Sequence, residues 1–141
     1  MLAGLLLLPA LAVAPARAAE TVDRNETAHC IAVMRTAADG MVRQVKAGDK
    51  SVEPALRTEL ERAAALIGRT YLDGLQDEAE AKARLKRAQD EQATWSDARR
   101  NELHQSCARK ADAELAAANA AQRFIVQRVA QARFQRLMSK P

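Results

Sequence analysis

The sequence predicts an all-α protein, a small helical bundle of three to four helices with one disulfide and a long C-terminal helix. Good helix formers dominate the composition, and aromatic residues make up only 3% of the chain, which favours helices over sheets. Apolar residues recur at steps of three and four along most of the chain, as they do on one face of a helix. No segment has the pattern of a strand.

The first 18 residues form an apolar run that ends in small residues at Ala16-Arg17-Ala18, and this pattern predicts a signal peptide over 1–18. The run is shorter than the roughly 20 residues that a membrane span requires, and two prolines interrupt it. We therefore expect a single helical domain over 19–141, of a size that buries one core. The expected location is periplasmic or secreted.

The first two helices are predicted from their apolar stripes and from the residues that bound them. The first stripe covers 30–45, and Gly48 is expected to end that helix, because glycine accepts the left-handed cap conformation. Ser51 is the predicted cap of the second helix. Pro54 then falls in its first turn, where a missing N–H costs little, and the second stripe covers 56–75.

The later helices are predicted from caps alone, since no glycine or proline occurs between position 74 and the last residue. Asp77 is expected to start a third helix. A weak break is expected near Trp95, where Thr94 or Ser96 can cap the next helix. The last stripe begins beyond this break and is expected to continue to the C-terminal end, with Asn119 as its only plausible interruption.

Cys30 and Cys107 are the only cysteines, and both fall on apolar stripes. An even number of cysteines in an exported chain favours a disulfide. Closing a loop of nearly eighty residues would stabilise the fold by roughly 4 to 5 kcal/mol on the chain-entropy estimate. The pairing would place the start of the first helix against the early part of the last helix.

The same region allows an alternative, a metal site that uses His29, Cys30, His104 and Cys107. His104 and Cys107 are three residues apart and share a helix face, and two imidazoles with two thiolates could hold zinc or copper(I). Against this, the neighbours His29 and Cys30 project about 100° apart on a helix, and an oxidised pair offers no thiolate. We therefore expect no metal and no cofactor, and solvent-facing or hydrogen-bonded histidines beside a disulfide.

Catalysis is not expected, because the sequence has no glycine-rich phosphate loop, no nucleophile signature and no haem-attachment motif. The carboxylates over 77–91 alternate with lysines and arginines, which is typical of a solvated helix face. The formal net charge of +4 is a mild imbalance. We therefore expect no nucleic acid partner.

The segment 119–141 is a predicted basic amphipathic helix that contains no acidic residue. Its predicted surface-binding residues, which alternate with apolar residues, are Arg123, Arg128, Arg133 and Arg136. Such a helix could lie on an anionic membrane surface or dock on an acidic envelope protein. The alternative is a last bundle helix whose cations suit the negative end of its dipole.

Gly68 lies inside the second predicted helix, where a glycine costs about 1 kcal/mol relative to alanine. We expect it to allow close helix contact opposite Tyr71 or Trp95.

Three short elements follow one another along the chain: residues 29–34 around the first cysteine, then Ile67-Gly68-Arg69 with Asp73-Gly74, then Cys107-Ala108. Taken in order, they resemble a loose group of uncharacterised small secreted proteobacterial helical proteins with two cysteines. The resemblance covers residues 28–110. It implies a helical fold and export, and no function.

These observations together predict a non-catalytic exported protein that acts by surface binding in the bacterial envelope, in a stress or chaperone-like role. Its expected partner is an envelope protein or an anionic membrane surface. A periplasmic metal-binding protein that uses His and Cys side chains is the alternative.

Overall fold

The computed structural model describes residues 23–72, 74 and 77–140. They form the helices α1 (Arg24–Lys46), α2 (Glu53–Leu72), α3 (Glu78–Gln92), α4 (Asp97–Ala117) and α5 (Ala120–Ser139), with a short 3₁₀ turn at Lys50–Val52. No strand occurs within these ranges, and the all-helical class is confirmed. The predicted signal peptide over 1–18 lies outside the described residues.

Helix α1 begins earlier than its apolar stripe indicates. The Asp23 carboxylate accepts hydrogen bonds from the backbone N–H groups of Asn25 and Glu26, and such a cap satisfies donors that have no partner within the helix. The C-terminal end lies where it was predicted. Gly48 follows the helix with a φ of 105°, a conformation that glycine adopts without steric cost.

The start of α2 differs from the prediction in its capping residue. Ser51 lies inside the 3₁₀ turn, and Asp49 caps that turn by accepting a 3.0 Å hydrogen bond from the Ser51 N–H. The turn leads directly into α2. Pro54 lies in the first turn of this helix, as predicted.

The boundaries of α3 and α4 follow the predicted caps. Asp77 accepts hydrogen bonds from the first N–H groups of α3. The helical structure is interrupted around Trp95. Ser96 then caps α4 by accepting a 3.3 Å hydrogen bond from the Arg99 N–H. The predicted break near Trp95 is therefore confirmed, with Ser96 rather than Thr94 as the cap.

The prediction of one long C-terminal helix is wrong. The chain is extended at Ala118, and Asn119 starts α5 with a capping box. The Asn119 side chain accepts from the Gln122 N–H, and the Gln122 side chain accepts from the Asn119 N–H, both at 2.9 Å. This reciprocal pair satisfies two donors at a helix start, so the stripe is divided and the bundle has five helices rather than three or four.

Helix α2 contributes to both main cores of the bundle. Late α1 packs on early α2, and early α1 packs on late α2, so the two helices are antiparallel. Helix α5 joins the first core, formed by Ala38, Val42, Val45, Leu56, Leu60, Ala130 and Phe134. Helix α4 joins the second, formed by Cys30, Val33, Met34, Leu66, Cys107 and Ala111. Helix α3 packs on α1 through small residues, Ala28, Ala32 and Ala88.

The expectation of close helix contact at Gly68 is wrong. Apart from its chain neighbours and its own helix backbone, a Cβ atom placed on this residue would meet no atom of the described residues within 4 Å. The glycine therefore weakens α2 without allowing a closer approach of any described helix.

Candidate functional site

The disulfide between Cys30 and Cys107 is confirmed and joins α1 to α4. Its Cα atoms lie 5.3 Å apart, and both residues are buried. Because α4 is followed by α5, the bond ties the first helix to the fourth rather than to the last. Its burial among apolar side chains is typical of a structural disulfide.

His104 lies one turn before Cys107 and contacts a carboxylate that the sequence analysis missed. Its Nε2 atom is 2.6 Å from Oε1 of Glu59, whose side chain is only 3% exposed. This hydrogen bond, and to a lesser extent the charge of Glu59, raises the pKa of His104 against the opposing effect of burial. Arg62 extends the cluster, since it lies 3.7 Å from Glu59 and binds both carboxylate oxygens of Asp112 at 2.8 Å.

His29 has a separate set of contacts. Its ring stacks on Trp95 with centroids 5.4 Å apart, and the guanidinium of Arg99 lies 3.9 Å from the centroid of the same indole. The buried Gln92 amide donates a 2.8 Å hydrogen bond to the His29 carbonyl. His29 Nε2 is 3.1 Å from a carboxylate oxygen of Glu91. This histidine therefore holds α1 against the end of α3 and the turn between α3 and α4.

The alternative metal site, with His29, Cys30, His104 and Cys107 as ligands, has no support in this geometry. The two sulfur atoms are bonded to each other, so neither is a thiolate. The two histidines contact different acidic residues. Within 23–72, 74 and 77–140, no group of three or more His, Cys, Asp or Glu side chains is placed to hold a metal ion.

The four arginines predicted to bind a surface all lie on α5. Arg123, Arg128 and Arg136 are exposed, and Arg133 is half-buried. Arg128 lies over the ring of Phe124, with 5.8 Å between its Cζ atom and the ring centroid. Among the residues that the structure describes, none of the four arginines has a carboxylate partner. Their charges are therefore available to an external partner.

Large apolar side chains are exposed beside these cations. Phe124 and Ile125 are 60% exposed and Val129 is 49% exposed, although α5 packs on α2 through Ala130 and Phe134. Leu72, at the end of α2, is 71% exposed and lines a groove of about 320 Å³ together with Ile125. We define the apical patch as Leu72, Phe124, Ile125 and Val129. Leu72 and Ile125 line the same groove, and exposed apolar surface of this kind is typical of an interaction site.

The sequence contained one signal for the polar cluster around His104. Glu59 falls within the apolar stripe of α2, between Leu56 and Leu60. A carboxylate at such a position must be paired when it is buried, so a basic partner could have been expected. The identity of that partner depends on how α4 packs on α2. The sequence pattern of α2 alone does not show this packing.

Comparisons of the chain with models of known protein families, with curated proteins and with solved structures find no match. No helix within the described ranges is long and apolar enough to cross a membrane.

Proposed function

We infer that this protein is an exported, non-catalytic binding protein of the bacterial envelope, which attaches to anionic surfaces through the apical patch and the arginines of α5. The observation that carries this proposal is the combination of exposed Phe124, Ile125 and Val129 with arginines that have no carboxylate partner among the described residues, on a helix that has no acidic residue. A surface of this composition can insert its apolar side chains at an interface while its guanidinium groups contact phosphates.

The charge distribution supports an anionic partner. No acidic residue follows Glu114, so nothing on α5 repels a negatively charged surface. Each cation held near an anionic membrane contributes about 1 kcal/mol to binding. The buried disulfide, together with the apolar run over 1–18, supports export into an oxidising compartment. A stress or chaperone-like role would use the same patch on exposed segments of acidic envelope proteins.

Cosedimentation with vesicles tests the proposal. We expect the protein to bind vesicles that contain phosphatidylglycerol, to bind pure phosphatidylcholine vesicles weakly, and to dissociate as salt is added. The double variant Arg123→Gln/Arg128→Gln should bind more than tenfold more weakly, since it loses two cations that each contribute about 1 kcal/mol. Phe124→Ser/Ile125→Ser should also weaken binding, because it removes the apolar contact.

A matched control distinguishes binding through this surface from a general effect of the protein's net charge. Arg43→Gln/Lys50→Gln removes the same charge from exposed positions on α1 and the 3₁₀ turn, and it should bind nearly as well as the unchanged protein. Equal losses in the two charge variants, or no binding to phosphatidylglycerol vesicles, would rule out the proposed surface. Export is tested by the intact mass of the native protein, which we expect to start at Ala19 and to include the disulfide.

A further inference from the structure

A trough on the side of the bundle has the shape and polarity of a small-molecule site, and Val129 is the one residue of the apical patch that lines it. Helix α2 forms its floor with Leu60, Ala63 and Ala64, while α1 and α5 form its two walls. Its volume is about 320 Å³, which is at the lower end of the range for ligand pockets. The trough therefore offers a concave apolar surface that none of the described residues fills.

A second cavity lies beside the trough, beneath α3. This cavity of about 180 Å³ between α1, α2 and α3 shares Ile31, Ile67 and Leu85 with the first and reaches Tyr71. The two cavities are therefore neighbours with three aliphatic side chains in common. An extended alkyl chain fits such an elongated apolar path better than a compact ligand does.

Cationic groups lie at the opposite end of the trough. Arg133 and Arg136 are three residues apart on α5, which places them on one face of the helix, and Arg35 of α1 lies across from them. No ion pair is formed by these three arginines within the described part of the chain. One exposed carboxylate, that of Asp39, lines the same end.

The remaining acidic group in the wall is already engaged. Glu59 lines the trough, but its carboxylate contacts His104 and Arg62. Three guanidinium groups therefore face a single unengaged carboxylate, and a guanidinium can bind a carboxylate through two parallel charge-assisted hydrogen bonds. The polar end of the trough is complementary to an anion, and its other end is complementary to hydrocarbon.

We propose that the trough between α1, α2 and α5 binds a medium-chain fatty acid, with the carboxylate held by Arg133 and Arg136 and the chain lying along Ile31, Ile67 and Val129. Burial of the chain removes apolar surface of both ligand and protein from water. This inference goes beyond the proposed attachment to anionic surfaces, and its test changes Arg133 and Arg136 rather than the Arg123 and Arg128 of the vesicle experiment.

Calorimetric titration of the oxidised protein with sodium dodecanoate, below the concentration at which it forms micelles, tests the proposal. We expect saturable binding of one dodecanoate. Arg133→Gln/Arg136→Gln should weaken it by about tenfold or more, because charge-assisted hydrogen bonds to the carboxylate are lost. Ile67→Ser, at a position that is 38% exposed, should weaken it as well, and so should replacement of dodecanoate by butyrate.

The matched control is Arg123→Gln/Arg128→Gln, which changes the same charge on the same helix outside the trough and should leave dodecanoate binding unchanged. Asp39→Asn should leave binding equal or tighter. The proposal is overturned if dodecanoate does not bind, if both arginine pairs weaken binding equally, or if dodecanol binds as tightly as dodecanoate. It is also overturned if sedimentation shows a dimer whose formation excludes dodecanoate. Vesicle attachment is tested with the Arg123 and Arg128 variant, and dodecanoate binding with the Arg133 and Arg136 variant. Either proposal can therefore fail while the other holds.

Discussion

Removal of the disulfide gives the sharpest test of what stabilises this bundle. Cys30 and Cys107 are separated by 77 residues, and the chain-entropy relation for a loop of this length predicts a contribution of about 4.5 kcal/mol at 25 °C. The variant Cys30→Ala/Cys107→Ala should lose about this free energy of unfolding. A small domain has only about 5–15 kcal/mol in total, so the variant should unfold at low urea concentrations.

Urea unfolding followed by far-ultraviolet circular dichroism measures the loss. The unchanged protein after reduction with dithiothreitol is the matched control, because it lacks the bond but keeps both sulfur atoms in the core. We expect the reduced protein to lose most of this free energy of unfolding. The alanine variant should lose slightly more, because both cysteines are buried and their replacement also removes packed sulfur atoms. If the reduced protein stayed within about 1 kcal/mol of the oxidised one, the loop-constraint argument would be refuted.

Two further predictions concern single residues. Because the contact with Glu59 raises the pKa of His104 above its ordinary 6.5, the protonated ring stabilises the fold fully below about pH 6.5, and this contribution is lost as the pH rises through the folded-state pKa. His104→Gln should lose this pH dependence, which is measured as the difference in the free energy of unfolding by urea between about pH 6 and pH 9. An unchanged difference in the variant would exclude His104 as its source. Gly68→Ala should raise the free energy of unfolding by about 0.5 to 1 kcal/mol, because its Cβ enters open space; a lower thermal midpoint would contradict this reading.

Much of the secondary structure could be predicted, because its causes are local. Asp77 and Ser96 cap helices as expected, and Gly48 follows α1 in the left-handed conformation. The error at Asn119 shows the limit of this reasoning. The residue was identified as a plausible interruption, but the stripe appeared to continue through it, and periodicity does not show whether a capping box with Gln122 forms.

The candidate sites were less predictable. The arginines of α5 were identified as a group, but the sequence did not divide them into Arg133 and Arg136 beside the trough and Arg123 and Arg128 away from it. That division depends on which side of α5 packs on α2. The contact of Glu59 with His104 likewise depends on the approach of α4.

The sequence by itself determined the helical class, most helix boundaries and the pairing of Cys30 with Cys107. Composition and capping residues act locally, and two cysteines allow only one intramolecular pairing. Only the tertiary structure decided which apolar faces are covered. Ile125 and Val129 belong to the same helix as the buried Phe134, yet they remain exposed because α2 covers only one side of α5. Burial is set by helices distant in sequence, so the trough and the apical patch exist only once the bundle has packed.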